Sequence, residues 1–238
     1  MDNMTLKPIA KIHTDFPVKF GIPRQSGIVD ELEAEIVFEP EFRNPDIVRG
    51  MTTFTHLWLI WGFSEVNREK WTATVRPPRL GGNKRMGVFA TRSPFRPNPL
   101  GLSCVKLKEI LYNERGPVII VSGADLLDGT PIYDIKPYIK YADCHIEADS
   151  GSFTLPDCTC EVVIPEDELK KVATEKRAAL IAVLKQNPVP AYQHDKGKNY
   201  SFEFSDYHIN FTQIDGKIIV SSIVNIQSCE EKNVADVQ

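Results

Sequence analysis

The sequence predicts a mainly β protein, a strand-rich meander or barrel to about residue 145 followed by a smaller α+β unit. Three observations carry this. Short β-branched or alternating runs recur between Pro, Gly and Asn clusters through the first two-thirds of the chain. Only one stretch has convincing helical periodicity, and it lies in the last third. No Gly-x-Gly-x-x-Gly or Gly-x-x-x-x-Gly-Lys-Ser/Thr string accompanies the strands, so neither a Rossmann site nor a P-loop is supported.

The expected strands of the first part are Leu6–His13, Glu33–Phe38, Thr53–Phe63, Met86–Ala90, Ser103–Leu111 and Val118–Ser122. In Leu102–Leu111 the apolar residues Leu102, Cys104, Val105, Leu107 and Ile110 alternate with Lys106, Lys108 and Glu109, as a half-buried strand requires. His56 lies inside an apolar strand and reads as a satisfied core histidine. A helix is expected from Pro165 to the Asn187-Pro188 stop: Glu166, Asp167 and Glu168 suit its first turn, and Leu169, Val172, Ala173, Leu180, Ile181 and Leu184 share one side. Three strand-like runs follow, Asn199–Phe204, Tyr207–Gln213 and Lys217–Ile226, the last two joined by Ile214-Asp215-Gly216, a hairpin signal. The polar stretch Ala148–Asp157 reads as a linker, placing domains at 1–147 and 158–228, and the polar tail from Cys229 is expected to fray. Trp58, Trp61, Met51, Met86, Phe153, Tyr200, Phe202 and Phe204 default to core or interface.

The chain has 238 residues with 42% hydrophobic and 25% charged, the composition of a globular protein. No apolar run approaches the roughly 20 residues of a membrane-spanning helix, and MDNMTLKPIA has no basic start leading into an apolar stretch, so a cytoplasmic protein is expected. Five scattered cysteines (Cys104, Cys144, Cys158, Cys160, Cys229) without a C-x-x-C pair read as reduced thiols, with no metal site. The histidines are dispersed, and no Gly-x-Ser-x-Gly or His-Glu-x-x-His occurs.

Net charge is −4, yet eight bases (Arg68, Lys70, Arg76, Arg79, Lys84, Arg85, Arg92, Arg96) face one acid, Glu69, between residues 68 and 96. Such a local excess binds anions, although charge alone equally fits a solvated loop. Around it, prolines 77, 78, 94, 97 and 99 and glycines 81, 82, 87 and 101 stiffen the segment, which orders arginine forks at low entropic cost. Phe89 and Phe95 in the same segment suit either packing or stacking on a base. A second unusual segment is DLLDGTPIYDIKPY, residues 125–138. Its Asp128-Gly129-Thr130 turn can aim side chains and amides into a cavity, while Tyr133, Asp134 and Lys136 offer an acceptor, a proton-transfer group and a cation. Asp134 and Lys136 also suit a plain surface ion pair.

These two segments, VFATRSPFRPNPLGLS (88–103) and DLLDGTPIYDIKPY (125–138), resemble the TsaA-like, or TrmO, family of S-adenosylmethionine-dependent tRNA methyltransferases. PRQSG (23–27), VRGMTTFTHLWLIWGF (48–63) and RPPRLGGNKRMGVFATR (76–92) extend the resemblance, in the same order, over about residues 5–140. Pro190-Ala191-Tyr192 resembles a stretch of the longer bacterial members, which usually have Arg where Val189 stands. The resemblance implies a small non-Rossmann β-barrel, a homodimer with cofactor sites near the subunit interface, and methylation at N6 of threonylcarbamoyl-adenosine, position 37 of tRNA. It places S-adenosylmethionine against Arg24, Gln25, Ser26, Ser64, Glu65, Arg92, Leu102 and the Asp128, Gly129, Thr130, Pro131 turn.

In that frame Arg92 suits the cofactor carboxylate or a phosphate, and Asp128 the ribose or amino group. The acceptor nitrogen belongs to a urea, a poor nucleophile until its proton leaves, so a positioned base is useful. Asp134 is the candidate, oriented by Tyr133 and Lys136. Arg76, Arg79, Lys84, Arg85 and Arg96 are expected to hold phosphates of the anticodon arm. The competing expectations are a tRNA- or nucleotide-binding module without chemistry, and a methyltransferase of the same fold with another acceptor.

Overall fold

The computed structural model describes residues 5–65, 70–77, 84–151, 153, 160–189 and 198–227. Arg79, Gly81-Gly82, the Pro190-Ala191-Tyr192 stretch, the tail from Cys229 and half of the expected linker lie outside these residues.

Six strands close into a barrel: β1 (Ala10–His13), β2 (Glu33–Phe38), β3 (His56–Gly62), β6 (Leu100–Asn113), β7 (Gly116–Ser122) and β8 (Thr130–Pro137), in the order β1-β2-β7-β6-β3-β8. All the barrel pairings are antiparallel. Alternation drives closure, because Ala34, Ile36 and Phe38 of β2 and Leu57, Leu59 and Trp61 of β3 all turn inward onto Ile12, Val105, Ile119, Val121 and Ile132. The closed ring leaves no edge strand to template association. A two-stranded ribbon, β4 (Thr74–Val75) and β5 (Met86–Gly87), stands apart from the ring.

After a short helix α1 (Lys140–Asp143), the second unit holds β9 (Val162–Val163), α2 (Glu166–Leu169), α3 (Thr174–Lys185) and the strands β10 (Asn199–Phe204), β11 (Tyr207–Ile214) and β12 (Lys217–Asn225). Its sheet runs β10-β11-β12-β9, with β9 parallel to β12. Asp215 (φ 47°) and Gly216 (φ 79°) form the expected tight hairpin. Ala179, Leu180, Val183 and Leu184 of α3 pack into one cluster with Tyr200, Phe202, Phe204, Phe211 and Ile218.

That cluster is completed by Phe16, Val29 and Leu32, with Phe20, Ile22 and Ile28 against it, all from the segment joining β1 to β2. Gly21 marks the closest approach: its φ is +97°, and a Cβ there would stand 2.6 Å from the Phe202 ring.

Four expectations change. The helix foreseen over Pro165–Asn187 is two helices, broken at residues 170–173. The backbone at the break is satisfied by side chains: Tyr207 Oη accepts from the Ala173 N–H at 3.0 Å, and Arg177 donates to the Val172 and Lys170 carbonyls at 2.8 and 3.2 Å. Thr53, the end of a 3-10 turn from Met51, and Val88–Ala90, also a 3-10 turn, are not strand, and β1 begins at Ala10. His56 is half-buried on the outer face of β3, with Thr55 Oγ1 2.9 Å from Nδ1, because the interior of that strand is taken by Leu57, Leu59 and Trp61. Phe153 is 39% exposed rather than core.

Candidate cofactor and substrate site

The β1–β2 connection carries Arg24, Gln25 and Ser26 across the barrel. Ser26 Oγ accepts the Cys104 N–H of β6 at 3.1 Å, so the loop is stitched beside Leu102. Gly27 N–H donates to the Gly123 carbonyl at 2.8 Å, bringing the same loop to the segment that follows β7. Gln25 Oε1 accepts from the Arg92 guanidinium, and Arg24 reaches the Asn187 carbonyl at 3.5 Å. Ser64 and Glu65 form an exposed turn after β3, tied to this loop by Lys19, whose Nζ donates to the Glu65 carbonyl at 2.9 Å.

Under Ser26 and Arg92 lies Asp125, a residue that sequence reasoning did not single out. Trp61 Nε1–H donates to Ser103 Oγ at 2.9 Å, and the Ser103 hydroxyl donates to Asp125 Oδ1 at 2.6 Å. Burial pushes the Asp125 carboxyl above the usual carboxylate value, opposed by the Ser103 hydrogen bond, the charge of Arg92 and the Ser26 amide. Its one sequence signal was its place at the head of DLLDGTPIYDIKPY; Ser103 and Trp61, 42 residues apart from each other, reach it only through side-chain hydrogen bonds.

Three residues on, the Asp128 turn is held from the side of β1. Asp128 Oδ1 accepts the Thr14 N–H at 3.0 Å and lies 3.2 Å from His13 Nδ1. The Asp128 and Gly129 N–H groups donate to the Phe16 and Ile12 carbonyls at 2.8 and 2.9 Å. Thr130 is buried, its hydroxyl on the Leu127 carbonyl at 2.7 Å, and Pro131 faces Lys11 across the ladder. His13, one of the dispersed histidines, is thus a neighbour of the turn.

The strand register then orders the rest. Asp134 of β8 lies opposite Ile60 of β3, which lies opposite Leu102 of β6, so the three share one outward row. Lys136, Trp58 and Cys104 form the next row on that face. The register shifts between Ile60 and Trp61, leaving Tyr133 as the extra residue of a bulge, its ring against Gly62. Lys136 Nζ sits 2.7 Å from Asp134 Oδ2, and Asp134 Oδ1 accepts the Ile135 N–H at 2.9 Å. The Cys104 thiol is pushed up, by burial first and by Asp143 second, and so stays protonated at neutral pH.

Of the phosphate candidates, Arg76, Lys84 and Arg85 are exposed. The β4–β5 register, Val75 opposite Met86, brings Arg76 and Arg85 to the same end of the ribbon. Arg96 donates to the Thr91 carbonyl at 3.3 Å and lies over the exposed Phe89 ring at 5.8 Å. Among the described residues, no group of three His, Cys, Asp or Glu side chains is gathered as for a metal, and no helix is long and apolar enough to cross a membrane.

The tRNA-methyltransferase O N-terminal domain model matches residues 11–144. The chain belongs to that family. It is 37% identical over 225 residues to the tRNA (adenine(37)-N6)-methyltransferase of Escherichia coli, covering 90% of this chain and 95% of that protein. A Pseudomonas aeruginosa protein assigned provisionally as an S-adenosylmethionine-dependent methyltransferase, RcsF, is 36% identical over 215 residues, 87% of this chain and 91% of its own. The crystal structure of TrmO from Pseudomonas aeruginosa superimposes with a TM-score of 0.76 at 27% identity, over 94% of this chain and 99% of that one.

The residues present suit the cofactor of such a methyltransferase. A guanidinium (Arg92), a buried carboxyl (Asp125), a 54% exposed apolar side chain (Leu102) and a polar turn lie along one stitched path. Gly27 and Gly129 front open space, with no atom within 4 Å of an ideal Cβ. Positive, negative and apolar groups of this kind match an amino-acid carboxylate, an ammonium and a nucleoside.

Proposed function

We propose that this chain is an S-adenosylmethionine-dependent tRNA methyltransferase that modifies N6 of threonylcarbamoyl-adenosine at position 37. The observation that carries the reading is the family membership through residues 11–144, a stretch that also holds Arg24–Ser26, Arg92, Leu102 and the Asp128 turn. Bound S-adenosylmethionine supplies an electrophilic methyl on its sulfonium.

Arg92 holds the cofactor carboxylate, with Gln25 fixing the guanidinium. The Asp128–Pro131 turn and Ser64-Glu65 bind the nucleoside part, and Leu102 forms an apolar wall. Asp134 takes the proton of the acceptor nitrogen, and its carboxylate is oriented for this by the Ile135 N–H and Lys136. Tyr133, projecting from the bulge, positions the acceptor beside it. Arg76, Arg79, Lys84, Arg85 and Arg96 hold anticodon-arm phosphates, and the target base leaves its stack to reach the site.

The protein works in the cytoplasm as a homodimer, with a catalytic barrel at 1–147 and a smaller unit at 158–228. Support for a dimer comes from the exposure of Leu102 on a face otherwise built for binding.

The test uses tRNA from cells lacking this gene, purified protein and S-adenosylmethionine, with nucleosides read by mass spectrometry. A methyl gained on threonylcarbamoyl-adenosine, dependent on both protein and cofactor, is the expected result. Bound tRNA without methyl gain means a binding module or a different acceptor.

A further inference from the structure

Residues Ile12–Phe16 form a strap with two attached sides. One side holds the Asp128 turn: Gly129 N–H to Ile12, Thr14 N–H to Asp128, Asp128 N–H to Phe16, and the Thr14 hydroxyl to the Leu126 carbonyl at 3.0 Å. The other side is gripped by the second unit. The Asp15 carbonyl accepts the Ser205 N–H at 2.7 Å, and Phe16 meets the Phe204 ring edge-on at 5.7 Å. Asp15 itself is buried, only 6% exposed, and both of its carboxylate oxygens contact Lys176 Nζ of α3, at 2.6 and 2.8 Å.

A carboxylate buried this far keeps its position only while a cation satisfies it. Without Lys176, Asp15 is drawn outward to water, and both of its neighbours bond Asp128, Thr14 through its N–H and Phe16 through its carbonyl. We infer that Asp15 and Lys176 are positioning residues through which the second unit sets the affinity of the barrel for S-adenosylmethionine. The inference rests on the reading above that the Asp128–Pro131 turn binds this cofactor.

The experiment compares the full wild-type chain with Lys176→Met, Lys176→Arg, Asp15→Asn and the double variant. Binding of S-adenosylmethionine is measured by calorimetry at a temperature where circular dichroism shows each variant folded, and KM and kcat are measured with tRNA. Lys176→Met is expected to weaken binding about tenfold and raise KM in proportion, with kcat at saturation within about twofold of wild type. Lys176→Arg restores most of the affinity, and the double variant binds no worse than Lys176→Met, since the two residues act as one unit. A folded Lys176→Met with wild-type affinity overturns the proposal, even if it melts earlier, because a purely structural pair moves stability alone. If Lys176→Met does not fold, the near-isosteric Asp15→Asn decides by the same affinity criterion.

Should the wild-type chain bind no S-adenosylmethionine, the functional reading fails, and amide exchange decides the strap separately. Faster exchange at Asp128 and Gly129 in Lys176→Met then supports the positioning role, and unchanged exchange overturns it.

Discussion

At the residue scale, two carboxylates of the same segment sit in opposite surroundings. Asp134 is half-exposed beside Lys136, whereas Asp125 is enclosed by Ser103, Ser26 and Arg92. A base that receives a proton only during reaction need not contribute to cofactor affinity. Asp134→Asn is therefore expected to lower kcat by about 10²–10⁴-fold while leaving calorimetric S-adenosylmethionine affinity unchanged. Equal turnover removes Asp134 as the base. Asp125 follows another logic. Its folded value is raised because burial disfavours the charged form, so its contribution to stability is fully present below the ordinary value of 3.8 and lost as pH rises through the raised value. Denaturant titrations of wild type and Asp125→Asn should thus show wild type losing ground relative to the variant as pH climbs from about 4. A constant difference would mean that Asp125 is not destabilised by burial.

Elements carry the next predictions. Gly21 lets the β1–β2 connection cross the Phe202 ring at a left-handed φ, so Gly21→Ala is expected to cost about 1–3 kcal/mol in urea denaturation. The helix break is pinned from α2: the Glu168 carboxyl is held below its usual range, first by the Lys171 hydrogen bond and then by the Ile223 N–H at 2.6 Å. A lowered acid stabilises above its unfolded value of 4.5 and loses that as pH falls through the folded one. Glu168→Gln should accordingly lie below wild type in melting temperature at pH 7 and converge with it at acid pH. For the β4–β5 ribbon, Arg76→Ala with Arg85→Ala is expected to reduce the salt slope of tRNA binding by about 1–2, as expected when two phosphate contacts are lost. An unchanged slope would place the phosphates elsewhere.

At the scale of the whole molecule, the described residues form two hydrophobic clusters, and one segment of the chain belongs to both halves. Phe16, Val29 and Leu32 precede or adjoin the second barrel strand yet complete the core of the second unit. Cutting the chain at residue 147 would uncover these residues along with Phe20, Ile22 and Ile28. The isolated barrel should bind a hydrophobic dye and lose S-adenosylmethionine affinity in the same titration. A truncated barrel with native affinity would show that the cofactor loop holds its form alone. The proposed homodimer is checked by sedimentation equilibrium of the full chain, where a mass near twice 26.9 kDa is expected.

Sequence alone determined the mainly β class, most strands and the hairpin at Asp215-Gly216. Each of these is a local property: side-chain alternation or a left-handed turn residue. The aromatic run Tyr200, Phe202 and Phe204 was legible as core for the same reason. Tertiary structure decided the rest. The helix broke where Tyr207, 34 residues away, accepts the Ala173 N–H, a partner the local pattern does not contain. His56 left the core because β3 points its other residues inward. The Trp61–Ser103–Asp125 chain, the His13–Asp128 contact and the buried Asp15–Lys176 pair join residues 22 to 161 positions apart. No periodicity records such contacts, because the barrel and the sheet set them only once closed.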